Sequence, residues 1–341
     1  MTITRKALLA ATGLVSWLLF AALASSANAA ENSCGEHREL LKRAIQGDPA
    51  EMAAQMLQAQ PEEPQLAAAF NPRLIRGALG DRLRPDKANC PYRGKKKDPE
   101  QVDCVWSNGD QTRILEADIA RGRISYVNAE RGRWSQQENS ISKDAALAAL
   151  TRAAKGLGVP SGELGVLEAR NVMAAQASPQ GGPAEVRRAW VAASASRQLG
   201  GFLVLGSAVY AAIDAKGQVA RMQIDWPELR LEAGLSPQDA LTRDELVERA
   251  VEKLGDEISC DNLGEVIVTP VFAPLGSTPA GAPNDDDSET SVDAAQRPSR
   301  SPAYVPAMLI MAFPPEVEDG SGEIASPARE YLVPVLETID G

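Results

Sequence analysis

The side chains that most often do chemistry are nearly missing from this chain. There is one histidine, His37, in 341 residues. A zinc peptidase holds its metal with a histidine pair on one helix face, so a lone histidine offers no such site. His37 lies between Glu36 and Arg38 and reads as an exposed surface residue. A Ser-His-Asp machine would also have to use it, and no Gly-x-Ser-x-Gly elbow occurs. Ser140-Ile141-Ser142-Lys143 matches the serine–lysine spacing of penicillin-recognising enzymes, but their companion Lys-Thr-Gly is absent and Ser142 is placed to cap a helix. Gly156-Leu157-Gly158 follows a helical pattern, not a strand, so it is not a dinucleotide loop. Asn284-Asp285-Asp286-Asp287-Ser288-Glu289 lacks the central glycine of a helix-loop-helix calcium site and reads as a solvated acidic loop. Lys95, Lys96 and Lys97 read as a solvated basic loop. Among 46 acidic residues nothing singles out a catalytic pair. The sequence therefore nominates no catalytic, cofactor-binding or metal-binding residue.

What it does nominate is a compartment. Arg5 and Lys6 precede an apolar run from Ala7 to Ala24, and small residues follow, with Ala27-Asn28-Ala29 as a cleavage tripeptide. This layout predicts a secretory signal peptide over residues 1–30, the alternative being an uncleaved N-terminal anchor. The expected location is periplasmic or secreted. The leader holds two basic residues and no acidic ones, so its removal takes the formal charge from −11 to −13. Such an acidic product repels nucleic acid and anionic membranes. Aromatics make up 4% of the chain, too few to favour a stacked-ring carbohydrate platform. In an oxidising compartment the four cysteines, Cys34, Cys90, Cys104 and Cys260, predict two disulfides. Three pairings are open. Cys90–Cys104 is preferred because it closes a short segment leading into a strand, which leaves Cys34–Cys260.

The elements that must position any site follow from periodicity. From Glu36 to about Leu83 the spacing is helical: Leu40, Leu41, Ala44 and Ile45, then Met52, Met56 and Leu57 behind an Asp48-Pro49 start, then Leu74, Ile75, Leu79 and Leu83 behind Asn71-Pro72. From Gln101 the period becomes two, and turns at Asn108-Gly109 and Arg121-Gly122 predict a three-stranded meander, with both central residues of the first turn at positive φ. Ser142 caps a helix whose stripe is Leu147, Leu150, Ala154 and Leu157. Strands are expected at 164–175, 185–195, 202–213 and 218–226, with a tight turn at Asp214–Gly217. Val209, Ala211 and Ile213 should face one side of the third, and Ala208, Tyr210 and Ala212 the other. The order then recurs: a capping box at Thr242–Glu245, a helix through Leu254, and strands at 266–272, 305–313 and 331–336. Between them, 276–302 is too polar to bury a core. The expected fold class is α+β, with antiparallel sheets, helices on one face, repeated helix-then-sheet units and a helical N-terminal segment. The expected domains are 31–138, 139–232 and 233–341 behind the leader.

Three segments carry a resemblance. Ile141-Ser142-Lys143-Asp144-Ala145 resembles the opening of a PepSY-type domain, Arg188-Ala189-Trp190-Val191 its first clear strand, and Ala208 to Val219 its closing hairpin, where Asp214 and Gly217 frame the turn. The likeness covers about 139–230 and is echoed at 233–340. The turn is one residue shorter than the common family form, and the helix-to-hairpin distance is stretched. The resemblance implies an antiparallel sheet with helices on one face, and a domain that binds or restrains a partner, without active-site residues. The expected function is thus an exported non-catalytic binding protein of the bacterial envelope, acting on an envelope or secreted protein or peptide. The alternatives are a secreted hydrolase using Asp, Glu or Ser, and a structural or assembly component of the envelope.

Overall fold

The computed structural model describes residues 33–62, 64, 66, 71–85, 103–132, 139–176, 184–255, 263–275, 303–313 and 328–337. Among the described residues, five α-helices run α1 Ser33–Ala44, α2 Pro49–Gln58, α3 Pro72–Leu79, α4 Lys143–Gly156 and α5 Arg243–Gly255. Twelve strands run β1 Arg84–Pro85, β2 Asp103–Ser107, β3 Arg113–Asp118, β4 Arg123–Asn128, β5 Leu164–Gln176, β6 Glu185–Leu199, β7 Phe202–Ile213, β8 Val219–Asp225, β9 Arg230–Leu231, β10 Glu265–Pro274, β11 Ala303–Phe313 and β12 Arg329–Pro334. The class is α+β and dominated by its sheet.

Start signals are local, and they behave as their chemistry dictates. Asp48 and Asn71 each accept a backbone N–H two residues on, ahead of a first-turn proline. Ser142 Oγ accepts from Ala145 N. Thr242 and Glu245 form the reciprocal capping box, with Thr242 N donating to Glu245 Oε2 at 2.8 Å and Glu245 N to Thr242 Oγ1 at 3.3 Å. The β7–β8 turn closes on Asp214 Oδ1, which accepts from Lys216 N and Gln218 N, while Gly217 takes φ +72°.

All twelve strands belong to one hydrogen-bonded network, mostly antiparallel. The meander β2-β3-β4 does not stand apart: β4 pairs with β8 from Arg123↔Asp225 to Val127↔Arg221. Strand β7 is the branch point. Its C-terminal half pairs with β8, and its N-terminal end pairs in parallel with β10 at Leu203↔Val271 and Val204↔Phe272. Opposite, β6 is in register with both halves, but one residue, Arg197, faces the four residues 204–207 of β7. Gly206, at φ +73°, lies inside this bulge. The excess backbone shifts the buried phase of β7 from Val204 to Ser207, Val209, Ala211 and Ile213, and lets β10 and β8 leave the same strand one after the other.

The helices cover one face. α4 lies on β5 to β8, with α3 against its outer side. α1 and α5 pack on each other and on β10 and β12. Several expectations are corrected here. The buried stripe of α4 is Ala146, Ala149, Leu150, Ala153, Ala154 and Leu157, while Leu147 is only partly covered. Alanines win because they bring the helix close: a Cβ on Gly156 would lie 2.8 Å from Ala78 Cβ of α3. Leu74 faces outward, 42% exposed, since Ile75 and Leu79 already fill the short inner face of α3. His37 is buried, on a helix packed against α5 and β10. The β2–β3 connection is a five-residue loop in which the positive φ falls on Gln111 and not on Asn108-Gly109. The Asn108 side chain replaces the tight turn, accepting from Arg113 N and donating to Asp110 and Thr112. The leader, Lys95 to Lys97, Cys90, Cys260, the 276–302 excursion and the 284–289 loop lie outside the described residues.

Candidate binding groove

The face opposite the helices is organised by register. One row crosses β6, β7, β8, β4 and β3 as Ser196, Ala208, Asp225, Arg123 and Asp118. The next runs Glu168, Ser194, Tyr210, Gln223, Ser125 and Glu116, beginning on β5. A third runs Arg170, Ala192, Ala212, Arg221, Val127 and Ile114. The small residues of β6 and Ala208 leave a shallow floor beside the branch of β7. There a groove of about 270 Å³ opens, walled by Phe202 and Leu203 of β7, Ile267 and Pro270 of β10, and Leu309 and Met311 of β11. Its polar groups are Glu168, Ser194, Ser196, Gln198, Thr269 and Tyr210. A mostly apolar concavity with a few polar groups is the usual form of a ligand site.

Two features add to it. From Glu265 to Pro270, β10 pairs only with β11 among the described residues, because β7 meets it at Val271 and Phe272 alone. Among the described residues the groove therefore runs beside a length of strand that is paired on one side only. At its other end Tyr210 stands 42% exposed. Partial burial raises the Tyr210 hydroxyl above its ordinary pKa; the charge of Asp225 raises it further, Arg170 opposes this, and Glu168 adds to it. Asp225 accepts from Gln223 Nε2 at 2.6 Å and pairs with Arg123 at 3.1 Å.

The buried polar clusters hold the frame together. Asp81, 2% exposed, accepts from the Tyr126 hydroxyl, from Asn128 Nδ2 at 3.0 Å and from Arg131 Nη2 at 3.0 Å, and pairs with Arg113 at 3.3 Å. Arg131 Nη1 also donates to the carbonyls of Leu79 and Val219, so this cluster ties α3 to the meander and β8. Burial first, then the hydrogen bond to Asp81, pushes the Tyr126 hydroxyl far above its ordinary value. The second cluster sits under the branch. Arg197 Nε donates to Glu163 Oε2 at 2.6 Å, Nη1 to Pro227 O at 2.7 Å, and the guanidinium lies 5.2 Å from the Trp226 ring centroid. Glu163 Oε1 takes the N–H of Glu62 at 2.5 Å. The Glu163–Arg197 pair is buried on both sides, whereas the Asp81 cluster reaches the surface through Arg113, which also pairs with Glu130 at 2.5 Å.

Of the residues singled out from sequence, His37 is buried with no partner for Nε2 among the described residues, and Ser142 is a helix cap. Cys34 lies in α1 and Cys104 in β2. No group of three or more His, Cys, Asp or Glu able to hold a metal occurs among the described residues, and none of their helices is long and apolar enough to cross a membrane. The groove residues were missed as a set. An isolated glycine at 206 in a strand pattern was the available signal for a bulge. Tyr210 on the outward face was already legible from alternation. Compared with known protein families, curated proteins and solved structures, the chain matches none.

Proposed function

We propose that this chain is an exported, non-catalytic binding protein of the bacterial envelope, periplasmic or secreted, that restrains or modulates a partner protein or peptidase. The carrying observation is the apolar groove on the sheet face opposite the helices, beside a length of β10 that pairs on one side only among the described residues. An extended partner segment would lie along Glu265 to Pro270 as an added strand and seat alternate side chains in the groove. The architecture is read as a doubled PepSY-like unit, α4 followed by β5 to β8 and α5 followed by β10 to β12. The thiols are read as two bridges, Cys90–Cys104 and Cys34–Cys260.

The test fills the groove. Ala208→Phe places a ring on its floor. Wild-type protein should retain a specific partner from envelope extract, and the variant should lose it while keeping its thermal transition. Turnover of a broad peptide, ester and glycoside panel, abolished by a single carboxylate substitution, would overturn the reading.

A further inference from the structure

The mouth of the groove is charged unevenly. Glu168 stands on the groove wall and Asp225 lies opposite Ala208 of its floor, while Glu116, Asp118 and Arg123 lie further across the sheet on β3 and β4, around a second concavity that Asp225 also lines. Arg170 and Arg221 stand in the third row, about 7 Å further along the strands, where Arg170 still opposes Asp225 and Glu168 at the Tyr210 hydroxyl. Arg123 is spent on Asp225, and Asp118 is met by Arg121 at 3.4 Å. Glu168, which itself lines the groove, has no ion pair among the described residues. Between Glu168 and Asp225 stands the half-exposed ring of Tyr210. An exposed tyrosine ring two strands from Glu168 and one strand from Asp225 offers a cation an aromatic surface near carboxylates, and it adjoins an apolar slot.

We infer that the groove recognises a segment in which an apolar side chain is followed by a cationic one: the apolar group enters between Phe202, Leu203, Leu309 and Met311, and the ammonium or guanidinium rests on Tyr210 between Glu168 and Asp225. This rests on the binding reading above and adds the chemistry of the partner. The chain's formal charge of −11 acts in the same direction, drawing basic segments in and turning acidic ones away.

The experiment uses the full chain and three labelled peptides, with a central Leu-Lys-Val-Lys, Leu-Gln-Val-Gln or Leu-Glu-Val-Glu, read by fluorescence anisotropy. The lysine peptide should bind about tenfold tighter than the glutamine peptide, and the glutamate peptide weakest. In about 0.5 M salt, where charges are screened within about 4 Å, the advantage should shrink to about threefold or less. Glu168→Gln and, separately, Tyr210→Leu should each bring the lysine peptide close to the glutamine peptide. Equal affinities for the lysine and glutamine peptides, both lost in Ala208→Phe, would overturn the cationic preference and leave the groove reading standing. Absence of groove-dependent binding by any peptide would overturn both.

Discussion

Removing the carboxylate of Glu163 should be among the most damaging single changes to this fold. Its partner Arg197 is completely buried and sits opposite the bulge of β7, where the sheet divides. In Glu163→Ala the guanidinium keeps Pro227 O and the Trp226 ring but loses its counter-charge, and the N–H of Glu62 loses its acceptor. An uncompensated buried charge costs about 3–5 kcal/mol, and the lost acceptor adds about 1 kcal/mol. Taking about 4 kcal/mol and a urea slope of about 3 kcal/mol/M, the unfolding midpoint should fall by about 1.3 M. Tryptophan fluorescence in a urea titration reads this directly, because Trp226 lies under the guanidinium. Arg197→Met should also be costly, since it strands the carboxylate. The double variant Glu163→Ala/Arg197→Met, however, should cost less than the two singles together by about 2 kcal/mol, the signature of a coupled pair. A midpoint shift below about 0.3 M for Glu163→Ala, or strict additivity in the double variant, would refute the assignment of this pair as the lock of the branch.

Asp81→Asn leaves Arg113 and Arg131 without their shared anion and should cost about 3 kcal/mol, with hydrogen exchange rising first in α3 and the β3–β4 hairpin. Gly122→Ala should lower stability by at least about 2 kcal/mol in the same titration, because Gly122 has φ +67° and a Cβ there would lie 2.2 Å from Trp226 O. Tyr126, Tyr210 and Tyr304 all have raised hydroxyl pKa values, each chiefly through burial. The folded chain therefore holds these protons more tightly than the unfolded chain. Their stabilisation should be intact below about pH 9 and fall as pH climbs through the ordinary tyrosine value of 10 toward the folded values. Thermal denaturation at stepped alkaline pH should show that decline, and absorbance titration should show Tyr126 still protonated when exposed phenols have ionised.

What was legible from sequence is what neighbouring residues decide among themselves. Asp48-Pro49, Asn71-Pro72, Ser142 and Thr242-Glu245 mark helix starts because each cap is made within a turn of the chain. The alternation of Val209, Ala211 and Ile213 against Ala208, Tyr210 and Ala212 named the two faces of β7 correctly. What was hidden depends on distant partners. Nothing near Arg123 says that its strand will pair with 221–225, and nothing near Leu203 says that β10 will join there. The choice of alanines over leucines on α4 is settled by how closely α3 and the sheet approach. His37 looks exposed between two charged neighbours, but its helix is packed against α5 and β10, some 200 residues later. The groove arises from the four-against-one mismatch around Arg197, which no single segment encodes.

That long reach between first and last elements governs the order in which the molecule can be finished. Arg38 of α1 meets Glu248 of α5 across 210 positions, and the core beneath them includes Tyr331, Val333 and Leu336. A chain emerging from its N-terminus must keep the apolar side of its first helix waiting, wet and available to chaperones, until almost the last strand is made. Clipping off β12 should therefore be felt at the opposite terminus, as protease sensitivity around Leu41 and Ile45.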